Sequence, residues 1–400
     1  MRGIPGSGIF IFFAIVFLIE LLAFFAVRHL LDRPRVKKQV TLMYWLLSFL
    51  MFAILLLAFL NPDKIRETTN YQFFYFVISV SFLNLLPKII LAVGYLLSII
   101  PRLFRSFRIS RVVVMSSLII GLGVVITIGY GIAFGRKNLR IEKHEIFIKD
   151  LPAELDQTIL LQFSDTHLGS FETDAFFKRT VEVINQQNAD VILFTGDMVN
   201  NYYQEMEGFE DELANMKAKY GKFAILGNHD YGDYSNWEND QLKRNNHQQL
   251  CDKIEQAGFQ LLQNESAAIS INHTPVEIIG VENWGHAPFP QYADLNKALK
   301  DTKANSLKVL LSHDPAHWEA QVIDQTEIPL TLSGHTHAAQ TGLRIAGIEF
   351  SPMSFVQKYW GGLYQRNDQY LYVNRGFGCV GFLGRIDMAP EITVLTLRSK

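Results

Sequence analysis

Val191-Ile192-Leu193-Phe194-Thr195-Gly196-Asp197 carries four apolar, β-favouring residues straight into a turn that ends on a carboxylate. Short apolar runs bounded by turn residues are buried strands. Gly196 permits a tight turn and a close backbone approach just before Asp197. The same device recurs on both sides. Thr158–Phe163 leads into Ser164-Asp165-Thr166-His167, and Phe223–Leu226 into Gly227-Asn228-His229-Asp230. Val309–Leu311 leads into Ser312-His313, and Leu330–Leu332 into Ser333-Gly334-His335-Thr336-His337. Helix-like segments at Asp174–Gln187, Met206–Lys219, Asn246–Ala257 and Asp294–Lys303 lie between the runs, with Thr173 or Asp174 as the cap of the first. Strands alternating with helices predict an α/β domain whose site lies at the carboxyl ends of the strands. After residue 340 the chain turns β-rich, with strands expected at Gln369–Val373 and Glu391–Leu397.

The N-terminal third reads differently. Residues 8–27, 42–60, 73–100 and 112–134 are four apolar stretches of the length a transmembrane helix needs. The first is too long for a signal peptide, and no small-residue cleavage site follows it. The third contains Pro87-Lys88, where a kink or split is expected. Ser116, Ser117, Gly121 and Gly123 read as helix-packing positions. Glu20 and Lys88 are charges inside apolar segments; the bland reading is that Glu20 pairs within the bundle and Lys88 snorkels or marks a break. The first inter-span loop carries Arg28, Arg33, Arg35, Lys37 and Lys38, and the third carries Arg102, Arg105, Arg108 and Arg111. The second has only Lys64 and Arg66 beside Asp63 and Glu67. The basic loops therefore face the cytoplasm, in a multi-pass protein of the cell (inner) membrane whose catalytic part is extracytoplasmic. Arg136, Lys137 and Arg140 just after the last span run against that orientation.

Residues 135–156 read as a linker holding a first strand at Glu145–Ile148, and 157–400 as the soluble domain. About 260 soluble residues are enough to bury a full core. A formal net charge of −2 gives no indication of a nucleic-acid polymer as partner. Two cysteines, Cys251 and Cys379, make neither a disulfide framework nor a zinc site. Few intramembrane polar residues argue against a transporter or channel.

Taken singly, Asp-x-His or His-x-His is weak evidence for a metal. Together the five turns supply two Asp, one Asn and four or five His, enough to hold two divalent metals side by side. Oxygen and imidazole ligation without thiolate favours Mn, Fe or Zn. Two close cations acidify a water and neutralise phosphate oxygens, which is hydrolytic chemistry for phosphate esters.

In these five motifs and their order the sequence resembles the calcineurin-like metallophosphoesterase superfamily over roughly residues 157–340. It looks closest to membrane-anchored bacterial phosphoesterases, of which Leu311-Ser312-His313-Asp314-Pro315 and Tyr372-Val373-Asn374-Arg375-Gly376-Phe377-Gly378 look typical. The resemblance implies two facing mixed β-sheets flanked by helices, here preceded by an all-α bundle of about four spans. It implies that Asp165, His167 and His337 bind one metal, that Asn228, His313 and His335 bind the other, and that Asp197 bridges them. Asn228 would also touch the substrate. His229 would contact the phosphate and protonate the leaving oxygen.

Two positions depart from the family pattern. Asn200 stands where many members carry an Asp that orients the catalytic histidine. An amide fixes a tautomer but does not stabilise an imidazolium, so either Asp230 supports His229 or His229 acts more as a hydrogen-bond donor than as an acid. The usual Gly-Gly after the last motif is Ala338-Ala339. Beyond the motifs, Arg375 among its glycines is read as a contact to the distal part of a phosphodiester, with a salt bridge as the alternative. Phe377, Val380, Phe382 and Leu383, with Tyr359 and Trp360, are either core or a surface for a lipid tail. Tyr231, Tyr234 and Trp237 are candidates to wall the pocket. His247, His273, His286 and His317 read as ordinary histidines, and Asp314 as a support for the metal ligands. The expected activity is hydrolysis of phosphoester, phosphodiester or pyrophosphate bonds, with a substrate that anchoring places near the membrane. A lipid-linked pyrophosphate of the UDP-diacylglucosamine type is one alternative and needs a cytoplasmic site. A catalytically weak membrane metal sensor is the other.

Overall fold

The computed structural model describes residues 6–60, 69, 71–171, 173–285 and 290–400 of the chain. Asp63, Lys64, Arg66, Glu67 and His286 lie outside the described residues. The chain divides into two compact units, residues 1–65 with 73–133, and residues 66–72 with 134–400.

The first unit is helical: α1 Gly6–Leu30, α2 Pro34–Leu60, α3 Gln72–Leu97, α4 Ile99–Leu103 and α5 Phe107–Ala133. All but the short α4 are long and apolar enough to cross a membrane. They match the four expected spans. Helix α3 runs unbroken through Pro87, and the overlong third stretch ends instead at Leu97, before α4. Among the expected packing positions, Ser117 and Gly121 are buried, whereas Ser116 and Gly123 are exposed. A β-carbon at Gly121 would lie 3.4 Å from the main-chain oxygen of Pro87. The two intramembrane charges pair with each other: Lys88 Nζ lies 2.8 and 2.9 Å from the Glu20 carboxylate oxygens. Ser48 donates to the same carboxylate at 2.6 Å. Lys88 therefore does not snorkel.

The second unit carries β1 Arg140–Ile148, β2 Ile159–Phe163, β3 Val191–Phe194, β4 Lys222–Ala224 and β5 Gln260–Leu261. Then come β6 Glu265–Ile271, β7 Thr274–Gly280, β8 Leu307–Leu311, β9 Leu330–Ser333, β10 Leu343–Ile345 and β11 Ile348–Phe350. Last are β12 Gly362–Arg366, β13 Gln369–Val373 and β14 Glu391–Ser399. Two six-stranded mixed sheets form, ordered β1-β14-β2-β3-β4-β5 and β12-β13-β9-β8-β7-β6. Ile146, Leu160, Leu193, Ile225, Ile278, Val309, Leu330, Tyr372 and Leu395 fill the layer between their facing surfaces. Truncating one such side chain, as in Leu193→Ala, costs about 2–5 kcal/mol. Helices α6 Ala175–Gln186 and α8 Asp240–Gln256 cover the outer face of the first sheet with Phe177, Ile184, Leu250 and Ile254. The expected helix at Met206–Lys219 shrinks to a 3-10 turn and α7 Glu210–Ala214, and that at Asp294–Lys303 to α9 Leu295–Leu299.

One boundary needs correction. Residues 135–156 are not a linker: β1 is a nine-residue strand paired in parallel with all of β14, from Arg140 against Glu391 to Ile148 against Ser399. It looks polar in sequence because Lys143, Glu145 and Phe147 on one face are exposed, while Ile146 and Ile148 on the other are buried.

Candidate active site

Strands β2, β3, β8 and β9 all end at the same edge of the two sheets, and the motifs follow directly from them. The site is made of backbone as much as side chain. Asp165, His167, Asp197, His335 and His337 all have positive φ, between 42° and 75°. The left-handed region costs an L-residue about 1–2 kcal/mol, so five ligand-type residues in it mark a turn geometry maintained against its own strain. Hydrogen bonds to the turns offset that cost. Asp165 N–H donates to Gly196 O at 2.8 Å, and His167 N–H to Asp197 O at 3.1 Å. The His335 N–H reaches both Asp165 oxygens at 3.1 Å. The Asp230 carboxylate accepts N–H bonds from Asp197 at 2.8 Å, Gly227 at 2.9 Å and Val199 at 3.1 Å. Asp230 thus holds the turn that carries Asp197, rather than orienting His229. Burial, then the nearby Asp197 charge, pushes the Asp230 carboxyl up to about 8.

All seven candidate ligands converge. Asp165, His167 and His337 present donor atoms within 4.8 Å of one another, and so do Asp165, Asp197 and His313. His167 Nε2 faces His337 Nε2 at 3.1 Å. Asn228 Oδ1 lies 3.1 Å from His313 Nε2 and 2.8 Å from His335 Nδ1. His313 Nδ1 donates to Thr195 O at 2.7 Å, which fixes its tautomer and leaves Nε2 pointing into the site. Asp165, His167, Asp197 and His313 are essentially inaccessible to solvent. Burial works against both carboxylates, yet the neighbouring imidazoles hold Asp165 and Asp197 below the usual range. Burial alone would lower His313, but Asp197 raises it to about 10, while burial lowers His167 and His335. Anionic oxygens and inward-aimed imidazole nitrogens packed this closely fit divalent cations.

His229 sits at the rim of this cluster. Its Nδ1 donates to the main-chain oxygen of Asn200 at 2.9 Å, and its own N–H donates to Asp197 Oδ1 at 2.9 Å. Tyr234 stacks on its ring, 4.4 Å between centroids, and accepts from Asn228 Nδ2 at 2.8 Å. Tyr231 and Trp237 face elsewhere: Tyr231 is buried against Tyr292, and Trp237 Nε1 donates to Gly232 O.

Asn200 enters the site through its carbonyl, and the residue that fixes that carbonyl is Glu205. Its buried carboxylate accepts from the N–H groups of Asn200 at 2.7 Å, Asn201 at 2.8 Å, Tyr202 at 2.9 Å and Gly169 at 3.2 Å, and from Asn200 Nδ2 at 2.8 Å. Tyr71 buttresses the same turn, its OH accepting from Asn201 Nδ2 at 2.8 Å and its N–H donating to Gly169 O at 3.2 Å. Nothing in the motif spacing singles out Glu205, which stands in a polar stretch beside Glu207, Glu210, Asp211 and Glu212. Arg385 is a second residue outside the motifs, fully buried, with Nη2 3.2 Å from His337 Nδ1 and bonds to the oxygens of Gly378, Arg375 and Met388.

Arg375 takes the salt-bridge alternative: its guanidinium is buried, 2.6 Å from Glu391 Oε2 and paired also with Glu349, so it ties β11 to β14. Phe377 stacks in the core on Phe171 and Phe176, and Tyr359 packs on Trp318. His317 is satisfied by Ser312 Oγ at 2.9 Å and stacks on Trp284.

Comparison with known proteins agrees with this geometry. Residues 159–339 match the calcineurin-like phosphoesterase domain, and residues 5–136 match a domain described as the transmembrane part of a probable calcineurin-like phosphoesterase. The uncharacterized metallophosphoesterase YkuE of Bacillus subtilis is 32% identical over 278 residues, spanning 68% of this chain and 90% of that protein. A transmembrane protein with metallophosphoesterase domain from Danio rerio is 28% identical over 281 residues, 67% of this chain and 60% of that one. The fold and the site define a metal-dependent phosphoester hydrolase. The chain belongs to the calcineurin-like metallophosphoesterase family, in a form that carries its own transmembrane domain.

Proposed function

We propose that the site is a dinuclear centre that hydrolyses a phosphoester, phosphodiester or pyrophosphate bond in a substrate presented at the membrane. Asp165, His167 and His337 would hold one ion, Asn228, His313 and His335 the other, and Asp197 both. The observation that carries this reading is the position of Asp197 Oδ2, 3.6 Å from His167 Nε2 and 3.2 Å from His313 Nε2: one carboxylate oxygen faces both groups of ligands. Two divalent ions supply Lewis-acid stabilisation of phosphoryl oxygens and a water acidic enough to attack at neutral pH. His229, its Nδ1 proton fixed on Asn200 O, turns Nε2 toward the rim, where it serves the leaving oxygen. Asn228 sits between the ligand cluster and Tyr234 and contacts the phosphoryl group from the same side.

A cavity of about 150 Å³, lined by Arg136, Arg179, Phe171, Phe176, Phe377 and Cys379 among others, supports a lipid-linked substrate, since it offers cations and aromatic faces together. Its wall includes Gly378, whose N–H donates to Asp165 O at 2.8 Å. Loop charge supports an extracytoplasmic catalytic unit.

The test uses the full chain in nanodiscs with manganese. Metal content is counted, and hydrolysis of bis(p-nitrophenyl) phosphate and p-nitrophenyl phosphate is followed in parallel. Two equivalents of metal, and hydrolysis lost with chelator and in Asp197→Ala, are expected. A single equivalent at saturation overturns the dinuclear reading. A reporter fused after residue 400 that proves cytoplasmic overturns the extracytoplasmic one.

A further inference from the structure

Strands β10 and β11 form a two-stranded hairpin outside both large sheets. Leu343 stands opposite Phe350, Arg344 opposite Glu349, and Ile345 opposite Ile348. Alternation along a strand therefore puts Leu343, Ile345, Ile348 and Phe350 on one face and Arg344 and Glu349 on the other. A surface hairpin of a water-soluble domain buries the apolar face. Here the arrangement is reversed. The charged face turns toward the protein, where Arg344 pairs with Glu349 and, at 2.7 Å, with Glu142 of β1, and Glu349 pairs with Arg375. The apolar face turns outward, with Leu343 55%, Ile345 66%, Ile348 75% and Phe350 42% exposed. Phe355 and Val356, from the next turn, extend it at 83% and 81% exposure, the Phe355 ring 5.7 Å from that of Phe350. A contiguous apolar patch of this kind marks an interaction surface.

We propose that this hairpin and the following turn dip into the lipid bilayer that the chain's own helices span. The connectivity chooses lipid over a second protein. Helix α5 ends at Ala133, and two residues later Gly135 lies so close to Arg385 that a β-carbon would meet its main-chain oxygen at 1.9 Å. The next residue, Ile386, bridges Thr341, and its oxygen accepts from Gly342 N–H at 2.9 Å, at the base of the hairpin. Glu142, nine residues past α5, holds Arg344. The hairpin is thus tied at two points to the segment that leaves the membrane, and its uncharged face carries the branched and aromatic side chains that partition into the acyl boundary.

The experiment uses the full chain in phosphatidylethanolamine–phosphatidylglycerol nanodiscs, one chain per disc. Both native cysteines are buried, so an environment-sensitive dye goes to an introduced cysteine. Ile348→Cys and Val356→Cys are the test sites, and Asp301→Cys, on an exposed turn, is the control. The dye at 348 and 356 is expected to shift to the blue and to be quenched several-fold more by doxyl lipid than at 301, and less by aqueous iodide. Iodide quenching equal to the control overturns the proposal. So does protection from iodide without quenching by doxyl lipid, which would mean a protein partner or a second copy covers the patch.

Discussion

His229 donates its Nδ1 proton to the main-chain oxygen of Asn200 at 2.9 Å. A carbonyl only accepts, so the Nδ1 proton is fixed there and Nε2 is the ring nitrogen left to meet a substrate. The familiar carboxylate partner is replaced by a peptide oxygen that Glu205 holds in place. Esters with poor leaving groups should therefore feel His229 most. His229→Gln is expected to slow an alkyl phosphodiester by about 10²–10⁴-fold and the p-nitrophenyl ester far less. Equal losses on both would remove the leaving-group role. Glu205→Gln should show the same selectivity at about 10–100-fold, because loosened positioning weakens proton transfer before it weakens binding. Hydrogen exchange of the Asn200–Tyr202 amides, followed by mass spectrometry, should quicken in parallel.

Glu205 also predicts a pH dependence. Burial pushes its carboxyl up to about 7 from an ordinary 4.5, against the pull of the N–H bonds from Tyr202 and Asn200. Between those values the folded chain keeps a proton that the unfolded chain has released, so this group's contribution to stability falls as pH rises from about 4.5 to about 7 and is level above. The span corresponds to about 3 kcal/mol. Denaturation of wild type and Glu205→Gln from pH 5 to pH 8 should converge in slope only above about 7; identical slopes throughout would show that the carboxyl does not titrate there.

Ala338 and Ala339 occupy positive φ, 49° and 52°, where a glycine pair is the usual solution. The left-handed penalty of about 1–2 kcal/mol exceeds glycine's entropic cost of about 0.5–1 kcal/mol. Ala339→Gly is expected to raise stability by up to about 1 kcal/mol, visible as a higher Tm. A lower Tm would show that the alanine methyl packs well enough to outweigh the strain.

In the membrane bundle, Lys88→Met leaves the Glu20 carboxylate without its cation and should destabilise by about 3–5 kcal/mol. The double change Glu20→Leu with Lys88→Met should recover most of it. Detergent-dependent unfolding of the full chain measures both, and additive losses would show that the pair is not coupled.

The convergence of the seven motif residues was legible because each follows an apolar run whose end is a strand end. Charge was harder. Arg375 among glycines reads like a phosphate contact, but its carboxylate partners, Glu349 and Glu391, lie on strands that sequence order does not bring together. β1 was obscured by its solvated face. Glu205 bonds mostly to backbone N–H groups and Arg385 mostly to backbone oxygens, so motif spacing reveals neither. The hairpin of β10 and β11 has an ordinary alternating pattern, and only the structure tells which face is turned outward.

Tyr71 lies between two apolar spans yet belongs to the catalytic unit, where it braces the turn under His229. The hydrolase is consequently stitched from two separate stretches of polypeptide, with two membrane helices intervening. Excising residues 140–400 as a soluble enzyme would amputate one of them and strip the support from Asn201 and Gly169. A fragment of that kind is the wrong object for kinetics, because the turn beneath His229 loses both the Tyr71 phenol and the Tyr71 N–H bond to Gly169.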